Sequence, residues 1–504
     1  MRLSFSITCI SVLADSASAF SVPWSSSTKE HNPFIGKRDT AVEYDYVVVG
    51  SGVSGGPIAA NLAVAGFKVL LIDSRGDSGD DWVEKLPALH LMSTEVEDTR
   101  WNYFVNHYPD AKQQKKDSKM VYQKTDGSYY FGLTPPKDAK PLGIIYPRAG
   151  TLGGCTRHNA LITIAAHDRD WSYIASLTGD DSWKPGNMRS YFEKLKNMYL
   201  PSSIIGHGFS GWLGTSLTSL SLVVEDQKLL SLIISAASAM GKGLLGFVLN
   251  TVAGLGQVLL RDLNAPGQTS KTGLYQVPLS MTDNFRGGPR DFILNTAKAV
   301  NEDGSRKYHL GIKLNTLVTK INFDKSGSKP RAVGVNYMQG ASLYRADPRS
   351  GSAKPTGTGS VKAKREVIIS AGSFNTPQLL KLSGIGPKKE LDSFKVPVLV
   401  DLPGVGTNMQ DRYENTVIGK TNSNFFITSK CTFLETLPDP RDMPIINFNY
   451  FDTGVNANGE GDKDLQATYE GIEFARKAFD DLIPLDGEFP ERERYTHVVE
   501  AASY

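Results

Sequence analysis

The chain has 504 residues, enough for two or three domains, and its 40% hydrophobic content can fill a large core. A formal net charge of +2 argues against a nucleic-acid partner and against attraction to an anionic membrane. Its 8 histidines fall in no H-E-x-x-H or comparable metal spacing and no repeat period is visible, so neither a metal enzyme nor a solenoid is expected.

Residues 1–19 read as an export signal: Arg2, a mostly apolar run from Leu3 to Ala14, then Ala17-Ser18-Ala19 as a small-x-small cleavage site. Residues 20–40 follow as a propeptide or linker with the dibasic pair Lys37-Arg38, and the mature protein is expected to be secreted. Loss of the leader leaves Cys155 and Cys431, which support no disulfide framework, and no N-x-S/T sequon accompanies them.

The first chemical signal lies just beyond. Tyr46-Val47-Val48-Val49 has the apolar, β-branched character of a buried parallel strand. Gly50, Gly52 and Gly55 follow at G-x-G-x-x-G spacing, and Ser54 to Ala65 reads as a helix closed by Gly66. Such a turn lets backbone N–H groups and the helix N-terminus approach a pyrophosphate. Lys68 to Asp73 is a second strand, ending in an acid 18 residues after Gly55 that suits a ribose hydroxyl. Dinucleotide binding is the reading; a Gly-rich turn of another α/β protein is the bland alternative.

From Met92 to Lys140 the chain is polar, aromatic and lysine-bearing, which suggests loops or a surface excursion, with Trp101-Asn102-Tyr103 reaching toward the cofactor. The apolar stretches 229–240 and 244–260 are each shorter than the ~20 residues that span a bilayer, so no transmembrane segment is expected and two amphipathic cap helices are the better reading.

Three more segments stand out. They are Pro147 to Ala160, carrying Gly150-Thr151-Leu152-Gly153-Gly154-Cys155-Thr156-Arg157-His158-Asn159; Ser370 to Pro387, an apolar strand running into Ala371-Gly372 and then a helix from Thr376 to Gly384 with Pro377 in its first turn; and Leu402 to Asp411. With the Gly50–Gly55 turn, and in this order, they resemble the glucose-methanol-choline (GMC) family of flavin oxidoreductases. The resemblance covers about residues 42 to 487.

That resemblance implies an α/β fold. A Rossmann-like FAD-binding domain would occupy 41–412, with a cap insertion at about 185–285. An α+β substrate domain built on an antiparallel sheet would be present in part at 413–504. FAD is the implied cofactor, with its pyrophosphate at Gly50, Gly52, Ser54 and Gly55 and its adenosine ribose at Asp73. Thr151, Gly153, Gly154, Cys155, His158, Asn159 and Ala160 would run along the flavin and pyrophosphate. The Val318 backbone, in the strand Leu314 to Phe323, would meet the adenine, and Ala371 and Gly372 would lie against the flavin. The Gly-Gly-Cys-x-x-His-Asn run resembles choline-oxidase-like members in which this histidine is bonded to the flavin; covalent attachment through His158 and a noncovalent contact both stay open. Cys155 reads as a small buried residue near phosphate. Arg412 stands where relatives usually carry histidine.

In the family a C-terminal histidine takes the alcohol proton. No matching His-x-x-(Gly/Ser)-(Thr/Cys) run is found here, a gap lies between Thr421 and Asp439, and His497 sits in no matching context, so no catalytic residue is assigned. The reading is an FAD-dependent oxidoreductase acting on CH–OH donors, in a shortened form with little or no turnover. Its partners would be a small-molecule alcohol and oxygen or another acceptor. An inactive flavin-binding remnant is the alternative, and an NAD-dependent dehydrogenase is disfavoured by the later segments.

Overall fold

The computed structural model describes residues 43–198, 207–217, 277–409, 411, 446–447 and 460–480, with short pieces between 233 and 275. The expectations for residues 1–40, most of 229–260, Arg412, the 421–439 interval and His497 lie outside these.

Strand β1 (Tyr44–Val49) forms from a run that can be buried on both faces, and Val47 and Val48 are fully buried. Helix α1 (Gly55–Val64) follows, ending where Gly66 takes φ +92°, and leads to the wholly buried strand β2 (Val69–Ile72). Next come β3 (Arg100–Asn106), β4 (Met120–Gln123), β5 (Tyr129–Phe131) and β6 (Lys140–Ala149). The nucleotide half resumes with α2 (Pro289–Lys298), β7 (Leu310–Lys313), β8 (Thr316–Asp324), β9 (Arg331–Gln339), β10 (Gly357–Ile369) and α3 (Gly372–Leu382). The short strand β11 (Ile446–Asn447) and a helix at Glu460–Asp480 complete the described chain.

One sheet has six strands in the order β7-β2-β1-β10-β9-β8. Its β7, β2, β1 and β10 are parallel neighbours, while β10-β9-β8 is an antiparallel meander. Strand β10 belongs to both parts: Gly357 to Lys362 pair with β9, and Ala363 to Ile369 pair with β1. On one face Val48, Val69 and Leu71 pack with Ala59 and Ala63 of α1 and Ile293 and Ala297 of α2. On the other, Val47, Val49 and Ile72 pack with Val318 and Ile321 of β8, Val335 of β9 and Leu379 of α3. The two faces alternate along each strand because successive side chains point opposite ways.

A second sheet of five strands, ordered β11-β3-β6-β4-β5, is antiparallel except for the β11–β3 pair. The chain thus has the α/β fold with an added antiparallel sheet. The segment Met92 to Lys140 is corrected here, since it supplies β3, β4 and β5, with Tyr103, Val105, Met120, Val121 and Tyr122 buried, rather than surface loops. Its lysines lie mostly between short strands, which hid the buried runs in the sequence.

The helix expected from Thr376 to Gly384 starts instead at Gly372. Thr376 Oγ1 accepts the Ala371 N–H at 3.1 Å rather than capping a helix of its own, and Pro377 lacks only the N–H that would reach Ser373, so the turn before it survives.

Candidate functional site

Three glycine-bearing segments converge at the C-terminal ends of β1, β2 and β10. Gly50 leaves β1 at φ +96°, and a Cβ there would collide with the Ser370 carbonyl at the end of β10. That backbone state and that contact leave room only for glycine. A Cβ on Gly55 would strike the Gly50 carbonyl, so the helix start is pressed onto the turn. Gly154, at φ +57°, lies so near that a Cβ on it would stand 3.0 Å from Gly52 Cα. Gly52 and Gly372 face open space, with no atom within 4 Å of a Cβ placed there. Ser54 is exposed at the α1 N-terminus and makes no side-chain cap.

Ser51 joins the pieces. Its Oγ donates to Asp73 Oδ2 at 2.6 Å, its N–H donates to the same oxygen at 2.9 Å, and its Oγ accepts the Gly153 N–H at 3.0 Å. Asp73 Oδ1 accepts from Arg75 N–H at 3.1 Å. Burial raises the Asp73 pKa, against the lowering effect of the Ser51 bonds and the Arg75 charge. Thr151, buried, holds the next turn: its Oγ1 accepts the Ser78 N–H at 3.0 Å.

Charged side chains fix these turns from beneath. Arg75 is buried in an ion pair with Asp347; its Nε donates to the Gly150 carbonyl at 3.0 Å and its Nη2 to the Asp98 carbonyl. Burial lowers its pKa to about 9. Buried Glu84 accepts from Arg157 Nε at 2.8 Å and from Ser78 Oγ at 2.6 Å. Arg290 of α2 forms a two-pronged pair with Asp77, at 2.5 and 2.9 Å. Apart from Arg157, which lies inside the glycine-bearing run, sequence reading found none of these; except in the Ser78–Glu84 bond the partners lie far apart in the chain, and no local pattern announces them.

His158 is buried on the 156–159 turn, and its ring has no hydrogen bond among the described residues. Burial, with the charges of Arg148 and Arg286, lowers its pKa to about 4, so the imidazole is neutral near pH 7. Cys155 is half-buried and free, Ala160 is half-buried and Asn159 is exposed. An aromatic wall from the second sheet stands alongside. Trp101 abuts Gly150, and buried Tyr103 donates to Asn375 Oδ1 at 2.7 Å. Tyr146 donates to Asp411 at 2.9 Å, while the Arg148 guanidinium lies 4.8 Å from the Tyr146 ring centre and 5.0 Å from that of Phe374. Burial pushes Tyr146 up to about 12. The structure thus brings together Gly50, Gly52, Gly55, Asp73, Gly153, Gly154, Ala371 and Gly372. Val318 stands on β8, its side chain in the core against Val49 and Ile72.

The described residues fit a flavin dinucleotide in one respect that geometry tests: space is open at Gly52 beside the α1 N-terminus and at Gly372, where added side chains would meet no protein. Among the described residues no group of His, Cys, Asp and Glu is arranged to hold a metal, and no helix is long and apolar enough to cross a membrane.

A family model described as GMC oxidoreductase matches residues 44–414. An oxygen-dependent choline dehydrogenase of Pseudomonas fluorescens is 26% identical over 376 residues, 74% of this chain and 53% of that protein. The GMC oxidoreductase family protein Mala s 12 of Malassezia sympodialis is 27% identical over 383 residues, 73% of this chain and 51% of that protein. Among solved structures, pyridoxine 4-oxidase from Mesorbium loti matches with a TM-score of 0.51 at 22% identity, covering 73% of this chain and 57% of that one. A formate oxidase matches at 0.53 and 20%, covering 74% and 52%. At these identities the structures speak for the fold alone. The chain spans about half the length of the curated relatives it matches.

Proposed function

From the premise that the chain belongs to the GMC oxidoreductase family, we propose that it binds FAD in the glycine-lined site and takes part in oxidising a CH–OH donor. The observation that carries this reading is the open face at Gly52, walled by Gly50, Gly55 and Gly154 in conformations that bring backbone, not side chain, to the ligand. FAD, when bound, supplies a two-electron acceptor. The chain's own residues do the rest: the Gly50–Gly55 turn offers N–H groups to a pyrophosphate, and Asp73 offers the lone pairs that Ser51 leaves unused to a ribose. The aromatic wall of Trp101, Tyr103 and Tyr146 would keep water from the side of the site that it lines.

Support for an alcohol donor and for oxygen as acceptor comes from the relative named an oxygen-dependent choline dehydrogenase. His158 is suited to the flavin ring, because a buried neutral imidazole keeps a lone pair free for contact or for a covalent bond. A flavin-binding chain with little turnover is the second reading, since His158, the one histidine of the site among the described residues, is placed for the flavin and not for a donor's proton. The leader-like residues 1–19 support export, which N-terminal sequencing of secreted protein would check.

The test is purification of the full chain in the dark. A yellow protein whose visible absorption bleaches on reduction is expected; a colourless folded protein that takes up no added FAD would overturn the reading. Acid precipitation then separates the two states of His158, since attached flavin stays with the pellet.

A further inference from the structure

Arg286 lies outside every sequence motif, in the short strand Phe285–Arg286, yet it is 5% exposed and aimed at the turn that carries His158. Its Nε donates to the Glu84 carbonyl at 2.7 Å. Its Nη1 reaches the Thr156 carbonyl at 3.0 Å, the Asn159 carbonyl at 2.8 Å and Asn159 Oδ1 at 2.6 Å. Oδ1 of Asn159 also accepts the Leu161 N–H at 3.1 Å.

The chemistry of these partners decides how the amide faces. Guanidinium and backbone N–H are both donors only, so an Asn159 side chain turned by 180° would set its own N–H2 against two donors. The oxygen is therefore held inward, and Nδ2, which has no partner among the described residues, points out from an exposed side chain. Arg286 spends Nε and Nη1 on these four acceptors, while its Nη2 is buried with no partner among the described residues. Leaving such a donor unmet is costly.

We propose that Arg286 is a positioning residue that commits Asn159 to present its N–H donors, so that this edge of the site takes a hydrogen-bond acceptor atom of the bound FAD. The inference rests on the FAD reading given above and adds to it the polarity of the contact and the residue that sets it. An acceptor in place of the Nδ2 donor would face the ligand's own acceptor, whereas an apolar group would only forgo the bond.

The experiment uses the full chain and the variants Arg286→Met, Asn159→Leu, their double, and Asn159→Asp, with two readouts. The first is hydrogen exchange at the Leu161 amide in the FAD-free protein, which needs no ligand. Arg286→Met is expected to speed it about tenfold, as the unanchored amide turns away and the bond is lost. The second is FAD affinity by titration of the apoprotein. Arg286→Met and Asn159→Leu should each weaken it about tenfold, the double no more than the worse single, and Asn159→Asp more than Asn159→Leu. Should Arg286→Met not fold, Arg286→Lys is expected to show both effects at smaller size. Unchanged Leu161 exchange, or losses that add in the double variant, would overturn the positioning role. If the parent chain takes up no FAD at all, the function reading fails and the acceptor half of this inference with it, while Leu161 exchange still decides whether Arg286 sets the amide.

Discussion

Ser51 gives both its hydroxyl and its backbone N–H to one oxygen of Asp73, at 2.6 and 2.9 Å, and its hydroxyl oxygen takes the Gly153 N–H. One side chain therefore ties the first turn, the acid after β2 and the second glycine run. In Ser51→Ala we expect a loss of about 1–3 kcal/mol, because Asp73 and the Gly153 N–H each lose a buried partner. The loss depends on pH. Burial already raises the Asp73 pKa and the Ser51 bonds restrain it; the variant keeps the backbone N–H bond but loses the hydroxyl bond, which raises the pKa further. The charged carboxylate then loses support, and the deficit should grow as pH rises through the native-state Asp73 value, which lies above the unfolded one, and shrink in acid. Urea midpoints for both proteins at pH 3.5 and pH 7 check this; a deficit that is the same at both would contradict it.

Gly52 and Gly55 sit three residues apart and should answer differently to a side chain. Nothing lies within 4 Å of a Cβ on Gly52, whereas one on Gly55 meets the Gly50 carbonyl and Ser370 Cβ. Gly52→Val is expected to leave the apoprotein's stability within about 1 kcal/mol and to abolish flavin retention, since the added methyls occupy the ligand's space. Gly55→Val should instead fail to fold, by overpacking against backbone. Flavin content and melting temperature of the two variants decide it, and a folded Gly52→Val chain that keeps its flavin would refute the placement.

His158 makes a signature in acid. Its folded pKa of about 4 lies below the ordinary 6.5, so the neutral ring favours the fold; that contribution is present above pH 6.5 and is lost as pH falls from 6.5 toward 4. A drop of this size is worth about 3 kcal/mol. Replacing it with phenylalanine should flatten the stability profile of the FAD-free protein across that window. Denaturation midpoints at half-unit steps measure the slope, and an unchanged slope would remove His158 as its source.

The buried Arg75–Asp347 pair offers a double-mutant test. Arg75→Met leaves the buried Asp347 carboxylate with Arg349 as its one remaining arginine partner and should cost about 1–3 kcal/mol, while Arg75→Met with Asp347→Leu should recover part of that. If the double is no better than the single, the bond from Arg75 to the Gly150 carbonyl, rather than the ion pair, holds the second turn.

The strand, turn and helix from Tyr44 to Val64 could be read in the sequence because each signal is local: β-branched residues, then glycines at fixed spacing, then small apolar residues. The same holds for the 150–160 segment, whose glycines announce close approach, whereas Gly372 has open space about it. What escaped was non-local. Ser51 is one unremarked residue between two glycines, and its importance comes from Asp73 and Gly153, 22 and 102 positions away. Arg286 meets Asn159 across 127 positions. The second sheet escaped for another reason: β4 and β5 have 4 and 3 residues, too few for alternation to rise above the charged turns between them.

The dual membership of β10 carries a consequence for how this chain can change. Its first six residues are ruled by β9 and its last seven by β1, so the two registers are soldered into a single ribbon. A residue inserted near Lys362 would have to slide one partnership or the other. Sliding the second lifts the Ser370 carbonyl off Gly50 and turns every inward side chain outward. Length variation is therefore barred from the ribbon and from its approach, where Leu343, Tyr344 and Asp347 are buried, and is admitted at the exposed turn from Lys325 to Pro330 between β8 and β9, where added residues would alter neither pairing of β10.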